Sequence, residues 1–383
     1  MPHSSRDIRI AWLGHKSTTI GDGLRTYSRE VTKGLEKRGV EILFVHHEKG
    51  LADGHSSHSL NGHAGFQRRF TIAGAGSRRR LERVLRDHGV DAVHLSAPFS
   101  TLDFVLPELC HRLGIPLIVT FHVPFSGDLS RWAVLAAIVY RLYAPMLAAC
   151  DRVIAFGRTQ RRLLIDLGVP EHLIVVSPNG VDIEKYTPGP SMALQFFQAE
   201  RIFSYIGRVD PEKEVETLLR AFLEARPPAS LRLLVVGDGV ELNRLKRRYR
   251  DDRVVFTGTI LDELTRIAIL RASDAFFLPS RVEALSLAML EAMACGVATA
   301  ATRVGNHAEA LEGAGVLLRS THLLEDLRAA MRSFIDTPAL CRGLGSHARL
   351  RAAQLFSLDA HLDVLVGLYE SLLGREEPGR EIV

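Results

Sequence analysis

The stretch YIGRVDPEKEVETLLRAF, residues 205–222, decides the fold because a glycine joins a β-rich apolar run to an amphipathic helical run. Gly207 ends the predicted strand. Asp210 is a residue type that caps helices, and Pro211 suits the first helical position. A strand followed at once by a helix is half of a βαβ unit, and such units build parallel sheets. We therefore predict a parallel α/β domain around this stretch.

Two cations lie in the turn of the same stretch. Arg208 is predicted on the loop above the strand, and Lys213 in the first turn of the helix. A cation at the positive end of a helix dipole is unfavourable unless an anion is present. Together with the N–H groups of a helix start, two cations favour a pyrophosphate site. The structural alternative is that Lys213 only forms an ion pair with Glu212 or Glu216.

The pattern of this stretch recurs along the chain in two similar halves. Short β-rich runs alternate with helical periods, and glycines cluster at the strand ends. The strands are predicted at residues 8–14, 41–47, 91–97, 116–122, 152–157 and 173–180, and then at 201–207, 231–239, 253–258, 275–280 and 297–302. We therefore predict an α/β protein of two doubly wound domains that face each other, with a ligand in the cleft at the strand C-termini.

The boundary between the halves is predicted at KYTPGPSMALQ, residues 185–195, which holds two prolines and a glycine and has no periodicity. The predicted domains are residues 1–187 and 197–358. We expect the C-terminal helix, residues 360–383, to pack back on the first domain.

Composition narrows the classes of function. The net charge of +4 is too small to favour nucleic acid by itself. Residues 1–190 carry 24 Lys and Arg against 18 Asp and Glu, which suits an anionic substrate or membrane surface, or a plain solvated face. The N-terminus lacks the apolar core of a signal peptide, and the longest apolar run is interrupted by Arg141 and Pro145. We therefore expect a cytoplasmic protein.

No metal site is predicted. The four cysteines are far apart and lack metal-ligand spacing, so we expect buried, reduced thiols. Residues 47–66 are rich in Gly, Ser and His, but their spacing matches no metal site. We interpret them as a mobile loop that could cover an acceptor.

A second stretch, SRVEALSLAMLEAMACG, residues 280–296, carries two carboxylates eight positions apart. Glu283 is predicted on the loop after a strand, and Ser286 is predicted to cap the next helix. Glu291 lies two turns further in an otherwise apolar helix, where an unpaired carboxylate is costly. Carboxylates accept hydrogen bonds from hydroxyls, so a nucleotide sugar would supply the polar partner. The alternative for Glu291 is a solvated carboxylate on an imperfectly amphipathic helix.

In this order the motifs resemble the retaining glycosyltransferase family 4, whose fold is GT-B, two Rossmann-like domains facing an interdomain cleft. The family's Glu-x7-Glu pattern matches Glu283 and Glu291. Its Gly-Arg…Lys pattern matches Gly207, Arg208 and Lys213. The similarity is strong in the second half of the chain. It is weaker in the first half, where GDGLRTYSREVTKGLEKRG and IVTFH resemble the family's glycine loop and its strand ending in a histidine.

The resemblance implies a hexosyltransferase that uses a nucleotide diphosphate sugar, UDP- or GDP-linked, with no cofactor and no metal. Arg208 and Lys213 would hold the diphosphate as leaving group. Glu283 would contact the transferred sugar, Glu291 the ribose, and His122 would lie beside the donor sugar as a catalytic residue. The alternative for His122 is a packed histidine at a strand end. The other donor-binding residues that the resemblance implies are Gly21, Gly23, Gly207, Gly237, Gly258, Thr259, Ile260, Ala284, Leu285, Ser286 and Leu287.

The chain also departs from the family pattern. Glycines are usual where it has Glu214, Ala284, Ser286 and Asn306, and a proline is common where it has Ala298. Side chains at such positions could narrow the sugar pocket or alter the loop. A catalytically silent module that binds nucleotide sugar as a partner subunit is therefore the alternative function. A sugar phosphorylase is a third reading, which the short chain disfavours.

The acceptor is expected on the first domain, residues 1–187, and a membrane lipid is one candidate. Residues 125–150 are apolar on nearly every face and include Trp132, and a basic helix precedes them. Such surfaces suit peripheral binding to anionic lipid on the inner face of the membrane. The alternative is a core helix beside a solvated face. The basic set comprises Arg68, Arg69, Arg78, Arg79, Arg80, Arg83 and Arg86.

Overall fold

The computed structural model describes residues 8–15, 23–47, 56–60, 62–64, 71–126 and 131–375. Its internal contacts divide the chain into two compact units, which we call the N-terminal unit and the C-terminal unit. The N-terminal unit comprises residues 1–123, 138–177 and 359–383, and the C-terminal unit comprises residues 124–137 and 178–358. Residues 178–187 thus belong to the C-terminal unit, whereas the sequence placed them in the first domain.

The N-terminal unit contains a seven-stranded sheet in the order β3-β2-β1-β6-β7-β8-β9, in which every neighbouring pair is parallel. Strands β4 and β5 form a separate antiparallel pair. The strands are β1 (Arg9–Leu13), β2 (Glu41–His46), β3 (Ser56–Ser59), β4 (Gly62–Ala64), β5 (Thr71–Ala73), β6 (Ala92–Ala97), β7 (Leu117–Phe121), β8 (Arg152–Ala155) and β9 (Ile174–Val176).

The C-terminal unit contains a six-stranded parallel sheet in the order β12-β11-β10-β13-β14-β15. This is the doubly wound order of a Rossmann-like fold, with helices following the strands. The strands are β10 (Arg201–Ile206), β11 (Leu231–Val236), β12 (Val254–Gly258), β13 (Ser273–Leu278), β14 (Ala298–Thr302) and β15 (Gly315–Leu318).

Helices connect the strands of both sheets, and short 3₁₀ turns lie at Thr101–Val105, Glu171–Leu173, Pro211–Lys213 and Ser320–His322. The α-helices are α1 (Gly23–Glu36), α2 (Ser77–Asp87), α3 (Leu106–Leu113), α4 (Arg131–Leu147), α5 (Arg158–Asp166), α6 (Ala193–Phe196), α7 (Val215–Glu224), α8 (Leu242–Arg248), α9 (Glu263–Ala272), α10 (Leu287–Ala294), α11 (His307–Leu311), α12 (Leu323–Asp336), α13 (Pro338–Leu355) and α14 (Leu358–Leu372).

The predicted α/β class with two doubly wound domains is confirmed. Parallel strands that are covered on both faces appear in the sequence as continuous apolar runs. The central strands could be predicted for this reason. Helix α7 shows the helical counterpart, because Val215, Leu218, Leu219 and Phe222 lie on one face and are fully buried. The short strands β3 to β5 and the edge strand β15 were not predicted. Strand β3 has the sequence SSHS and offers no apolar signal.

Two polar side chains of α14 are buried against the N-terminal sheet. His361 Nδ1 lies 2.7 Å from Ser177 Oγ, and its Nε2 lies 2.9 Å from Tyr27 OH. Further along the same helix, Tyr369 OH lies 2.6 Å from His94 Nδ1 on β6. The last helix is therefore joined to the sheet by hydrogen bonds at two points.

Thr120 on β7 connects those two points into one chain of hydrogen bonds. Its Oγ1 lies 3.3 Å from Tyr27 OH and 2.8 Å from His94 Nε2. All members of the chain are at most 3% exposed. A buried polar group is costly when its partner is removed, so this chain fixes the orientation of α14 on the sheet.

Three glycines join the strand ends of the C-terminal sheet. The Gly207 N–H donates to Val236 O at 3.0 Å, and the Gly237 N–H donates to Gly258 O at 2.8 Å. Gly237 has φ +138°, and a Cβ atom there would lie 1.9 Å from Gly207 O. Only glycine allows this approach. The sequence thus brings the loops after β10, β11 and β12 together at one edge of the sheet.

We expect the N-terminal unit to lose stability in acid because His94 is buried as a neutral ring. Burial lowers the pKa of His94 to about 3, well below its ordinary 6.5. Below pH 6.5 the unfolded chain binds a proton that the folded chain refuses, so the free energy of unfolding falls as the pH drops toward 3. The slope per group reaches about 1.4 kcal/mol per pH unit.

The measurement is urea unfolding between pH 6.5 and 4.5, followed by fluorescence. Trp12 is a direct reporter because its ring lies 4.2 Å from that of His94. A Trp132→Phe background removes the second of the two tryptophans. His94→Gln should flatten the pH slope, whereas His172→Gln, at an exposed position in the same unit, should leave it unchanged. An equal slope in wild type and His94→Gln would contradict the assignment.

Gly237 and Gly258 allow a matched test of the glycine junction. Both have positive φ, but an added Cβ at Gly258 meets nothing within 4 Å. Gly258→Ala should therefore cost only the left-handed backbone strain, about 1 kcal/mol. Gly237→Ala adds a collision with Gly207 O and should cost about 3 kcal/mol or more. Urea unfolding of the two variants checks this, and equal costs would show that the loops separate freely.

Candidate functional site

The order of the C-terminal sheet places a topological switch point between β10 and β13. In such sheets ligands bind outside the carboxyl ends of the two strands at that point. The loop after β10 carries Arg208 and Lys213, and the loop after β13 carries Arg281 and Glu283. The cations and the first carboxylate predicted from the sequence therefore come from the two loops of the switch point.

Lys213 and Glu283 form an ion pair across these two loops. Lys213 Nζ contacts Glu283 Oε1, although the residues are 70 positions apart. The two side chains are only 13% and 15% exposed. Burial is the largest influence and raises the pKa of Glu283, but the charge of Lys213, the interaction with His307 and hydrogen bonds from Lys213 and Ser280 together hold that pKa below the ordinary value. The pair therefore exists as two opposite charges that neutralise each other.

Arg208 is held by two carboxylates of its own loop. Its Nη2 lies 2.7 Å from Glu212 Oε1, and its Nη1 contacts Asp210. Asp210 also accepts from the Val240 N–H at 3.1 Å. Asp210 does occupy the N-cap position, with Pro211 after it, but of a 3₁₀ turn, and its side chain makes no capping hydrogen bond because Arg208 and the loop after β11 occupy the carboxylate. These two carboxylates thus orient the Arg208 guanidinium.

The predicted location of Lys213 in an α-helix is also wrong. Residues Pro211–Lys213 form a 3₁₀ turn, and α7 begins only at Val215. Glu214 between them has φ +54° and ψ 33°, a left-handed conformation that interrupts the helix. The simple alternative for Lys213 fails as well. Its ion-pair partner is Glu283 on the other loop rather than Glu212 or Glu216.

The loop after β13 is packed from behind by a turn that the sequence did not single out. A Cβ at Gly305 would lie 2.3 Å from both Glu283 O and Ala284 O, and the Asn306 N–H donates to Ala284 O at 2.8 Å. His307 follows, fully buried, with its Nδ1 3.2 Å from Thr302 O. Burial lowers the pKa of His307 although the charge of Glu283 opposes the shift.

His307 is a candidate site residue that sequence reasoning missed. Its Nε2 has no hydrogen-bond partner among the described residues. It interacts electrostatically with both Glu283 and Lys213. The available signal was its place two residues after Gly305, in a turn that follows a strand of the same sheet.

Residues 284–287 lead from this loop into α10. Ser286 caps the helix, as predicted, with its Oγ accepting from the Met289 N–H at 3.4 Å. Its φ is −74°, so serine fits where the family usually has glycine. Ala284 and Leu285 are buried, and Leu285 O accepts from Asn179 Nδ2 at 2.7 Å. Leu287 is the first residue of the helix.

Glu291 lies in the middle of α10 and is 9% exposed. Burial is the main cause that raises the pKa of Tyr186 and the pKa of Cys295. The negative charge of Glu291 is the second cause for both groups, so Glu291 lies near them. The carboxylate is therefore an inward-facing group, and the interpretation of Glu291 as a solvated surface residue is wrong. Thr259 and Ile260 follow β12 at the same edge of the sheet, with Thr259 exposed and Ile260 half-buried.

The candidate residues of the N-terminal unit lie at the ends of other elements. His122 follows β7, and its N–H donates to Ala97 O at 2.8 Å. Its ring packs edge-on against Tyr27 at 4.5 Å, and its Nε2 has no partner in the described part of the chain. Burial lowers the pKa of His122 well below its ordinary value. Gly23 begins α1 and is exposed, whereas Gly21 lies outside the described residues.

Two searches bear on metal and membrane binding. Within the described ranges, no group of three or more His, Cys, Asp and Glu side chains is arranged to hold a metal ion. No described helix combines the length and apolar content needed to cross a bilayer. All four cysteines are buried and free. Most of residues 47–66, together with Arg68 and Arg69, lies outside the described residues or has undescribed side chains.

Two family profiles match most of the chain. The profile described as Glycosyltransferase Family 4 matches residues 21–185. The profile described as Glycosyl transferases group 1 matches residues 200–337.

Curated relatives extend this similarity. The D-inositol 3-phosphate glycosyltransferase of Rhodococcus erythropolis is 32% identical and covers 96% of this chain and 92% of its own. The protein of that name from Rhodococcus opacus is 34% identical, over 52% of this chain and 48% of its own. The GDP-mannose-dependent alpha-mannosyltransferase of Corynebacterium glutamicum is 32% identical, over 66% and 61%. The chain thus spans less than two thirds of the length of the last two.

Solved structures share the fold. Sucrose-phosphate synthase from Thermosynechococcus elongatus superposes with a TM-score of 0.76 and 22% identity, over 96% of this chain and all of that one. Anabaena Alr3699/HepE in complex with UDP-glucose gives 0.76 and 20%, over 95% and 100%. With profiles matching in both units and a relative similar over nearly its whole length, this chain belongs to glycosyltransferase family 4 and has its GT-B fold.

Proposed function

We propose that this chain is a retaining glycosyltransferase that moves a hexose from a nucleotide diphosphate sugar, UDP- or GDP-linked, to an acceptor hydroxyl. The observation that carries the proposal is the Lys213–Glu283 pair at the switch point of the C-terminal sheet. Family membership supports the reaction class. Relatives named as glycosyl- and mannosyltransferases, and a protein of the same fold in complex with UDP-glucose, support the donor class.

Donor binding exchanges partners at this pair. Without a ligand, Lys213 and Glu283 satisfy each other in a poorly solvated place. An arriving diphosphate offers Lys213 a stronger acceptor with more negative charge. Glu283 is then released to accept hydrogen bonds from the sugar hydroxyls. Arg208, already oriented by Asp210 and Glu212, supplies the second cation to the phosphate oxygens.

The same two cations serve the chemical step. The bond between the sugar C1 and the donor phosphate oxygen breaks, and a bond from C1 to the acceptor oxygen forms on the same face. The proton of the acceptor hydroxyl passes to the departing diphosphate. Negative charge grows on that diphosphate in the transition state, so Lys213 and Arg208 stabilise the transition state more than the bound donor. No further cofactor enters the proposal.

The remaining candidate residues are assigned to the other parts of the donor: the ribose, the base, the sugar and the diphosphate. Glu291 is assigned to the ribose hydroxyls, and Gly258, Thr259 and Ile260 to the base, because they lie at the same sheet edge as Gly207 and Gly237. From the N-terminal unit, the neutral ring of His122 is assigned to the donor sugar. Its buried Nε2, which has no partner among the described residues, offers a hydrogen-bonding atom. Gly23 is assigned to the diphosphate, since its exposed N-terminal position in α1 leaves the backbone accessible.

The acceptor is proposed to bind the N-terminal unit, with a membrane lipid as the candidate. In the part of α4 that belongs to this unit, Ile138 and Leu142 are 58% and 59% exposed. Of the basic set, Arg79, Arg80 and Arg83 on α2 are exposed, whereas Arg78 pairs with Glu108 and Arg86 with Glu82. Exposed apolar side chains and exposed arginines both favour an anionic lipid surface.

The catalytically silent module is the alternative that the substitutions at Ala284 and Ser286 favoured. Both residues have ordinary negative φ, because the positive-φ residues other than glycine in the described chain are Gln198, Glu214 and Arg226. Neither substitution therefore imposes a left-handed backbone on its residue. Incubation with UDP-, GDP- and ADP-sugars separates the two functions. Release of nucleoside diphosphate establishes a transferase, and donor binding without release across a broad acceptor panel establishes the silent module.

Lys213→Ala should reduce kcat/KM by roughly 30- to 1,000-fold, equivalent to about 2–4 kcal/mol of transition-state stabilisation. The cause is the loss of the cation that neutralises the departing diphosphate. Initial rates of nucleoside diphosphate release measure the effect. Lys246→Ala, an exposed lysine on α8 of the same unit, is the control and should retain wild-type rates. An unchanged kcat/KM in Lys213→Ala would remove Lys213 from the mechanism.

Association with vesicles containing anionic phospholipid should be measurable at low salt and should weaken steeply as ionic strength rises, because exposed arginines are screened. Co-sedimentation with vesicles at salt concentrations from roughly 50 to 500 mM measures it. The triple variant Arg79→Gln, Arg80→Gln, Arg83→Gln should bind less, and vesicles of neutral lipid should bind neither protein. Binding that is absent or insensitive to salt would exclude the electrostatic surface.

A further inference from the structure

Glu214 has a backbone conformation that a glycine would adopt more easily. Its φ of +54° lies in the left-handed region, which costs about 1–2 kcal/mol for a residue with a Cβ. The residue lies between the 3₁₀ turn that carries Lys213 and the first residue of α7. A side-chain interaction that offsets this cost would give the glutamate a reason to be there.

The Glu214 side chain has two such interactions. One carboxylate oxygen forms an ion pair with Arg281 Nε, and the other accepts a hydrogen bond from Thr217 Oγ1 in the first turn of α7. The Glu214 side chain is 17% exposed and that of Arg281 is 35% exposed. Both line a cavity of about 690 Å³ together with Trp132, so water reaches the pair. Changes here do not require repacking of the core.

Arg281 belongs to the second loop of the switch point, two residues before Glu283. Its N–H donates to Glu212 O at 2.8 Å. The two loops are therefore joined by three successive contacts: the Arg281 N–H to Glu212 O, Arg281 to Glu214, and Glu283 to Lys213. The Glu214–Arg281 pair stands directly beside the pair that carries the proposed chemistry.

We infer that Glu214 and Arg281 are positioning residues that hold Lys213 and Glu283 in register at the donor site. The inference rests on the proposed function and adds two residues to which the function assigns no role. Neither residue needs to contact the donor. Their pair fixes the distance between the two loops, so Lys213 meets the diphosphate when the donor replaces Glu283. A displacement of about 1 Å at such a site can cost about a hundredfold in rate.

Glu214→Gly is the sharpest test, because glycine relieves the backbone strain while it removes the ion pair. Folding should be preserved, yet kcat should fall by about tenfold to a hundredfold, with a smaller change in the donor KM. Arg281→Gln should match it, and the double variant should be no slower than either single variant because both remove one interaction. Arg281→Lys keeps the charge and should retain most of the rate.

Two other residues provide matched controls for the glycine substitution. Gln198 and Arg226 also have positive φ, of 50° and 55°, and both are exposed in the same unit. Gln198→Gly and Arg226→Gly should relieve comparable strain and leave kcat and KM unchanged. A loss of rate in these variants equal to that of Glu214→Gly would assign the effect to backbone flexibility and overturn the inference.

A second readout does not depend on turnover. Acetylation of Lys213 by an N-hydroxysuccinimide ester, followed by peptide mass spectrometry, should be at least about threefold faster in Glu214→Gly and Arg281→Gln than in wild type, because the lysine is less firmly held. Lys246 in the same samples is the internal reference. Equal acetylation of Lys213 in all three proteins would overturn the positioning role. If wild type releases no nucleoside diphosphate from any donor, the proposed function fails, and the acetylation rates still decide the inference.

Discussion

Two opposite charges held side by side in a poorly solvated place form the constraint on which this site depends. Lys213 and Glu283 come from loops that follow adjacent strands of a parallel sheet, and each would be costly to bury alone. Each therefore fixes the other. A pair of this kind can exchange partners, because any ligand that brings more negative charge than one carboxylate competes for the lysine. The geometry of the sheet determines where that competition takes place.

The glycines explain how the loops come close enough. At Gly237 the backbone of one loop touches the carbonyl of Gly207 in the next, and at Gly305 another turn touches the carbonyls of Glu283 and Ala284. Side chains at these points would push the loops apart. The close packing of backbone on backbone leaves few ways for the charged side chains to move. Arg208, Lys213 and Glu283 are therefore held at one edge of the sheet. Rigidity of the main chain is here the means of orienting charge.

The sequence was sufficient for the architecture and for the identity of the chemical groups. Continuous apolar runs ending in glycine identified the central strands, and Arg208 and Glu283 do come from the loops that the sequence indicated. Lys213 lies beside them, but in a 3₁₀ turn rather than in the predicted helix. Contacts between distant segments were outside its reach. Lys213 meets a carboxylate 70 residues away, which no local spacing reveals. The left-handed backbone at Glu214 was equally hidden, because a glutamate gives no local sign of positive φ.

The same reasoning explains the other differences. Asp210 is a residue type that caps helices, but the guanidinium of Arg208 competes for its carboxylate more strongly than the backbone N–H groups do. His307 carries no motif, and its relevance comes only from burial beside Glu283 and Lys213. Strand β3 consists of serine and histidine and pairs with β2 in parallel. Its sequence has no apolar alternation that would predict this pairing. Local patterns predict elements, whereas electrostatic partners are set by tertiary structure.

The buried chain of hydrogen bonds through His361 and Tyr369 has a consequence for biosynthesis. The N-terminal unit is made of three separate segments, and residues 359–375 are the last of the described chain to be translated. Until they leave the ribosome, His94 Nδ1 lacks its partner Tyr369, and Tyr27 OH and Ser177 Oγ lack their partner His361. The C-terminal unit, whose segments end at residue 358, is complete before then. The domain that is synthesised first is therefore finished last, contrary to the usual vectorial order.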